Sequence, residues 1–208
     1  MIRREHRGEK WIFPFVEYCC ENTDSKLPLV IQLHGAGERG NGKEELDKVD
    51  VHGFSKHLQT AEYECRFVMP QCSQNTFWAA RVESIVKFVE QIKAEYNIDE
   101  DRVYLTGLSM GGYGTWFTAM ARPDLFAAIA PVCGGGMAWN ASVLNMPVWA
   151  FHGTIDTTVS VNQSDEMVEG LRIAGADVTY TRLEGVGHNA WDYAYHQELL
   201  EWMLSKKR

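Results

Sequence analysis

Ser109 lies at the centre of Gly107-Leu108-Ser109-Met110-Gly111, a Gly-x-Ser-x-Gly pattern. A serine hydroxyl is a poor nucleophile at neutral pH. It needs a base to take its proton, and the base needs an acid to orient it. When such a serine sits on a tight strand-to-helix turn, the acid and then the histidine follow it along the chain. Downstream of Ser109 the histidines are His152, His188 and His196. His188 lies in the Gly-rich loop Glu184-Gly-Val-Gly-His188, where an imidazole reaches over a sheet edge, and is the candidate base. His152 ends a strand and is read as support for the acid loop. His196 is read as a surface or packing residue within a helix. Asp156, just after the Pro147–His152 run, is the candidate acid. Asp165 and Glu166 open a helix, Asp177 precedes a strand at the opposite edge, and Asp192 follows His188 too closely to orient it.

Negative charge developing on a substrate carbonyl oxygen calls for two backbone N–H donors. The residue after the nucleophile, Met110, supplies one. The second is expected from the loop His34-Gly-Ala-Gly, at Ala36, with Gly37 as the alternate. His34 is read as a brace for that loop.

These groups need a scaffold. Arg102 to Thr106 reads as a buried strand and Gly112 to Ala121 as a helix, the context that turns the Ser109 pattern into a nucleophile elbow. Leu27–Leu33, Cys65–Pro70, Phe126–Cys133, Pro147–His152 and Val178–Leu183 read as further strands. Trp11–Cys20 reads as an edge strand and residues 21–26 as a polar turn. Lys43–Thr60 holds a short helix. Trp78–Tyr96, with Val82, Ile85, Val86, Val89 and Ile92 at helical spacing, Val161–Ala174 and Ala190–Leu204 are helices. Strands alternating with helices imply a mostly parallel sheet covered on both faces. Every Gly-rich or polar loop noted follows a strand, so the loops gather at the carboxyl edge, where such sheets carry their sites.

The chain of 208 residues suggests one α/β domain spanning 1–208, and 45% hydrophobic residues can build its core. A net charge of −8 argues against nucleic-acid and anionic-membrane partners. The charged N-terminus has no apolar signal run, and no apolar stretch reaches transmembrane length. The protein is therefore expected in the cytoplasm, or secreted with a signal already removed. Cys19, Cys20, Cys65, Cys72 and Cys133 show no Cys-x-x-Cys spacing, so neither a disulfide framework nor a metal site is signalled. The Gly-rich loop after Leu33 has neither a P-loop lysine nor a dinucleotide fingerprint, and no cofactor is expected.

Several segments together resemble the α/β-hydrolase superfamily. They are His34-Gly-Ala-Gly-Glu-Arg-Gly, Met69-Pro-Gln-Cys with Trp78, Asp101-Arg-Val-Tyr-Leu-Thr-Gly-Leu-Ser-Met-Gly-Gly, Phe151-His-Gly-Thr-Ile-Asp156 and Gly187-His188-Asn-Ala-Trp191. Within the superfamily the chain is similar to small carboxylesterases: dienelactone hydrolases, phospholipase/carboxylesterases, and the feruloyl-esterase, depolymerase-like and predicted-peptidase branch. The resemblance implies the α/β-hydrolase fold and a Ser109, Asp156, His188 triad. The chain has no insertion long enough for a lid domain. An open cleft is then expected, walled by Phe77, Trp78, Met137, Trp139 and Trp191. It suits short-chain acyl or aryl esters, a small-molecule substrate that can be carbohydrate-linked. A prolyl-oligopeptidase-like peptidase and a non-catalytic binding protein on the same fold are the alternatives.

Overall fold

The structure, a computed structural model, describes residues 1–20 and 25–208. The polar turn expected over residues 21–26 therefore falls mostly outside the described residues. Among the described residues the strands are β1 (Ile2–His6), β2 (Phe15–Cys19), β3 (Leu27–Leu33), β4 (Arg66–Pro70), β5 (Ile98–Leu108), β6 (Ala128–Val132), β7 (Val148–Gly153) and β8 (Val178–Leu183). They form one sheet in the order β1-β2-β4-β3-β5-β6-β7-β8. The β1–β2 and β2–β4 pairs are antiparallel, and all pairs from β4 to β8 are parallel. This is the α/β-hydrolase fold.

Strands β2, β3, β4, β6 and β7 and the second half of β5 are buried because both faces are covered, and period-two alternation divides them between two cores. Leu29, Ile31 and Leu33 of β3 and Val103 and Leu105 of β5 face one core. It is completed by helices α2 (Val82–Glu95), α3 (Met110–Ala121) and α4 (Asn162–Ile173) through Ile85, Phe88, Trp116, Met167 and Leu171. Val30 and Tyr104 face the other core, closed by α1 (Ser55–Thr60), α5 (Trp191–Ala194) and α6 (Gln197–Leu204). No helix among the described residues is long and apolar enough to cross a membrane.

Three expectations change. The sheet edge is β1, a charged strand invisible to a search for apolar runs, and it covers the flank of β2, which is buried throughout. Strand β5 begins at Ile98, ahead of the strand expected from Arg102, and pairs with Leu27 before a register shift at Pro28, whose nitrogen has no hydrogen to donate. The closing helix is broken in two. His196 is not within it: extended there, the backbone restarts at α6, and His196 Nδ1 accepts the Leu199 N–H at 3.2 Å as its N-cap.

Candidate active site

Strand β5 runs straight into Ser109, and α3 begins at the next residue. The turn holds Ser109 at φ 54°, ψ −116°, a strained conformation for a residue with a side chain. Neighbouring backbone enforces it. A Cβ on Gly107 would run into the Gly111 carbonyl, and one on Gly111 into the Leu33 carbonyl. The Ser109 N–H is anchored to the Val132 carbonyl at 2.9 Å. The hydroxyl is left partly exposed above the carboxyl edge of the sheet.

His188 reaches this hydroxyl from the loop after β8. Its Nε2 lies 2.8 Å from Ser109 Oγ, and its Nδ1 lies 2.7 Å from Asp156 Oδ2. A carboxylate only accepts, so Nδ1 carries the proton and Nε2 is free to take one from the serine. The loops that carry Asp156 and His188 are stitched together: Thr154 N–H donates to Leu183 O, Ile155 N–H to Val186 O, and Gly185 N–H to Thr154 Oγ1. Cys133, buried at the end of β6, points its thiol at the His188 carbonyl, 3.6 Å away.

Asp156 accepts from every side. Oδ1 takes the N–H groups of Thr158 and Val159 at 2.8 and 2.9 Å, and Oδ2 faces both His188 and the Nε2 of His152, 3.3 Å off. Burial works to raise its carboxyl, but the His188 hydrogen bond and the two backbone N–H groups outweigh it and hold it below the usual range. His152 is fully buried, which lowers its imidazole. Its Nε2–H also meets the Val159 carbonyl at 3.0 Å, and its Nδ1 meets Ser164 Oγ at 2.7 Å.

The loop expected to hold the second N–H donor folds as a 3₁₀ turn, Ala36–Glu38, with Ala36 and Gly37 exposed. Below it His34 is buried, donating from Nδ1 to the Gly35 carbonyl at 2.6 Å while Nε2 accepts the Cys72 N–H at 2.9 Å.

The expected aromatic walls separate. Trp78 is fully buried and touches no cleft: its Nε1–H donates to the His34 carbonyl at 3.0 Å and its ring meets Phe13 and His34 edge-on. It supports the loop from beneath. Phe77, one residue earlier, is 54% exposed and lines an open cavity of about 350 Å³ with Ala79, Ser109, Met110 and Tyr113. Tyr113 was missed, although four residues after Ser109 puts it one helical turn along the same face. Met137 packs against the core, and Trp139 is 82% exposed; neither lines that cavity. Trp191 sets its ring edge-on to His188, centroids 5.2 Å apart.

The BD-FAE family model matches residues 17–127, from β2 through the loop after β3 and the elbow to the start of β6. The bifunctional acetylxylan esterase/xylanase XynS20E of Neocallimastix patriciarum is 30% identical over 161 residues, covering 74% of this chain and 23% of that protein. Feruloyl esterase B of Talaromyces funiculosus is 28% identical over 119 residues, covering 53% of this chain and 33% of that one. The chain thus spans a third or less of these two relatives. A crystal structure of a thermostable esterase superposes with a TM-score of 0.83 at 32% identity, over 100% of this chain and 63% of that one.

Proposed function

The chain belongs to the BD-FAE family, and from that premise we propose that it is a serine carboxylesterase acting on short-chain acyl or aryl esters. The observation that carries this reading is the unbroken hydrogen-bond chain from Ser109 Oγ through His188 to Asp156. In the proposed reaction Ser109 attacks the ester carbonyl as its proton passes to His188 Nε2. Asp156 stabilises the imidazolium that forms. The N–H groups of Met110 and Ala36, with Gly37 as alternate, hold the oxyanion. Both open helical turns, where N–H groups have no partner within the helix. The carbonyl re-forms, the bond to the alcohol oxygen breaks, and His188 returns the proton to that oxygen. Water then releases the acid by the same steps. Phe77, Met110 and Tyr113 wall the acyl side. The esterase names of the relatives support the ester class, and the acetylxylan and feruloyl names extend it to carbohydrate-linked esters.

A fluorophosphonate probe and a panel of nitrophenyl esters beside peptide anilides test this. We expect the wild type to label and to prefer esters, and Ser109→Ala to lose both labelling and turnover. Faster turnover of anilides would make it a peptidase. No labelling at all would make the fold a non-catalytic binder.

A further inference from the structure

Resting on the esterase reading above, we infer that Arg39 is a positioning residue for the reaction. Its guanidinium fixes the turn that offers the oxyanion its second N–H donor, and it ties that turn to the segment carrying Phe77.

The loop after β3 is anchored at both ends. At its start His34 Nδ1–H donates to the Gly35 carbonyl at 2.6 Å. Further along, the buried Gln71, just past β4, donates from Nε2 to the Glu38 and Glu45 carbonyls at 3.1 and 2.6 Å. Its Oε1 accepts the Gly42 N–H at 2.8 Å. Between these anchors stand Ala36 and Gly37, both exposed, in a 3₁₀ turn of three residues. So short a turn has poorer hydrogen-bond geometry than an α-helix and little of its own to hold it, and no neighbour crowds Gly37. Among the described residues, the side chain that reaches the Ala36 carbonyl is Arg39, whose Nε donates to it at 2.9 Å.

Peptide planarity gives that bond its effect. The Ala36 C=O and the Gly37 N–H belong to one rigid unit and point in opposite directions. Holding the carbonyl therefore aims the Gly37 N–H, and it steadies the turn that the Ala36 N–H opens. The same guanidinium also reaches the other way. Its Nη1 lies 3.2 Å from the Gln74 carbonyl and 3.3 Å from that of Thr76, the residue before Phe77. Every hydrogen bond Arg39 makes among the described residues thus goes to a backbone carbonyl. A planar fork with five donors spans carbonyls of two segments, whereas a lysine ammonium is a point charge on a flexible stem. Phe77 lines the cavity beside Ser109 and Met110, which Arg39 does not. Oxyanion donors accelerate a reaction when they are aimed in advance at the developing charge. Arg39 therefore acts on kcat, through that aim and without touching substrate.

The test compares wild type with Arg39→Lys, which keeps the charge, and Arg39→Met, which keeps much of the stem, on 4-nitrophenyl acetate. We expect kcat to fall about 10- to 100-fold in Arg39→Met, less than the loss of a whole oxyanion donor costs, with KM within about threefold. Arg39→Lys should stay at least about fivefold below wild type, because the charge remains and the fork does not. A trifluoromethyl ketone, whose adduct with Ser109 carries the oxyanion, should bind each variant more weakly by the factor that kcat/KM loses. Wild-type kcat in Arg39→Lys would mean that charge alone acts, and a loss confined to KM would mean that Arg39 serves ground-state binding. Either result overturns the assignment. NMR relaxation separates the clamp from the esterase reading. In Ser109→Ala the backbone order parameters of Ala36 and Gly37 should be those of rigid backbone, about 0.85, and adding Arg39→Met should take them below about 0.6. If wild type hydrolysed no ester the esterase reading would fail, and these order parameters would still decide the clamp. Unchanged order parameters would reject it.

Discussion

His152 Nε2 lies 3.3 Å from Oδ2 of Asp156, inside the protein and out of reach of substrate. The same oxygen receives His188 Nδ1, so His152 shares in fixing the carboxylate that holds the His188 imidazole. Its Nε2–H also meets Val159 O, next to the N–H groups that hold Oδ1. Replacing His152 by Ala leaves Asp156 and Val159 short of a buried donor, a loss of about 1.5–3 kcal/mol for a bond to a charged group. We expect kcat/KM on nitrophenyl acetate to drop about 10- to 100-fold with the circular dichroism spectrum intact. A drop of less than twofold would mean that the backbone donors alone hold Asp156.

Ser109 carries the strained backbone, and its side chain is only partly enclosed. Ser109→Ala removes one oxygen and leaves the turn that Gly107 and Gly111 permit. Turnover should fall by about 10³- to 10⁶-fold while Tm moves by only a few degrees, since the substitution opens no buried cavity. Calorimetry beside an ester assay checks both; activity retained within tenfold would move the nucleophile elsewhere.

The parts of this site readable from the sequence are those fixed by backbone chemistry. Gly107 and Gly111 mark a turn no other residue fits, and Asp156 and His188 follow strand ends that a parallel sheet must gather at one edge. Those cues single out the three residues that the structure brings within hydrogen-bonding distance. Side-chain direction in an irregular loop has no period to read. Phe77 and Trp78 are adjacent and equally aromatic, yet one lines the cavity and the other is buried beneath His34. Strand β1 is not legible because Arg3, Arg4 and Glu5 are all charged and show no apolar alternation; only pairing with β2 makes it a strand. The contact between His52 and Trp191 is not legible either, since the two are far apart in sequence and meet only through the fold.

His34 makes stability depend on pH. Burial pushes its imidazole down to about 4, against the smaller opposing effect of its bond to the Gly35 carbonyl. Geometry agrees: Nε2 already accepts the Cys72 N–H, and a second proton would face that donor. In the unfolded chain the group titrates near its ordinary value of about 6.5. Between those values the unfolded chain binds a proton that the folded chain refuses, so this contribution is fully present above about pH 6.5. It is lost as pH falls toward 4, amounting to roughly 3 kcal/mol at most. Urea unfolding from pH 4 to 7 should show stability rising with pH, and His34→Gln should flatten that rise. An equally steep rise in the variant would assign it to other groups.

Acyl length follows from the cavity beside Ser109. It is about 350 Å³ and open, with Phe77 half exposed on its rim. A methylene contributes up to ~0.8 kcal/mol only where protein removes it from water. On the proposed reading the first few carbons of an acyl chain would meet Met110, Phe77 and Tyr113, and later ones would extend past them into solvent. We therefore expect kcat/KM to peak between acetyl and butyryl esters and to fall by octanoyl. An aryl acyl group is an exception, because Phe77 and Tyr113 can pack against a ring, adding about 0.5–1.5 kcal/mol beyond area burial. Phe77→Ala separates the two effects. It should lower kcat/KM for methyl ferulate about three- to tenfold, equivalent to that packing term, and leave nitrophenyl acetate within about twofold. A maximum at decanoyl or longer in the wild type would mean that a longer apolar groove receives the acyl chain. Equal losses on acetate and ferulate would mean that Phe77 shapes the elbow rather than the acyl wall.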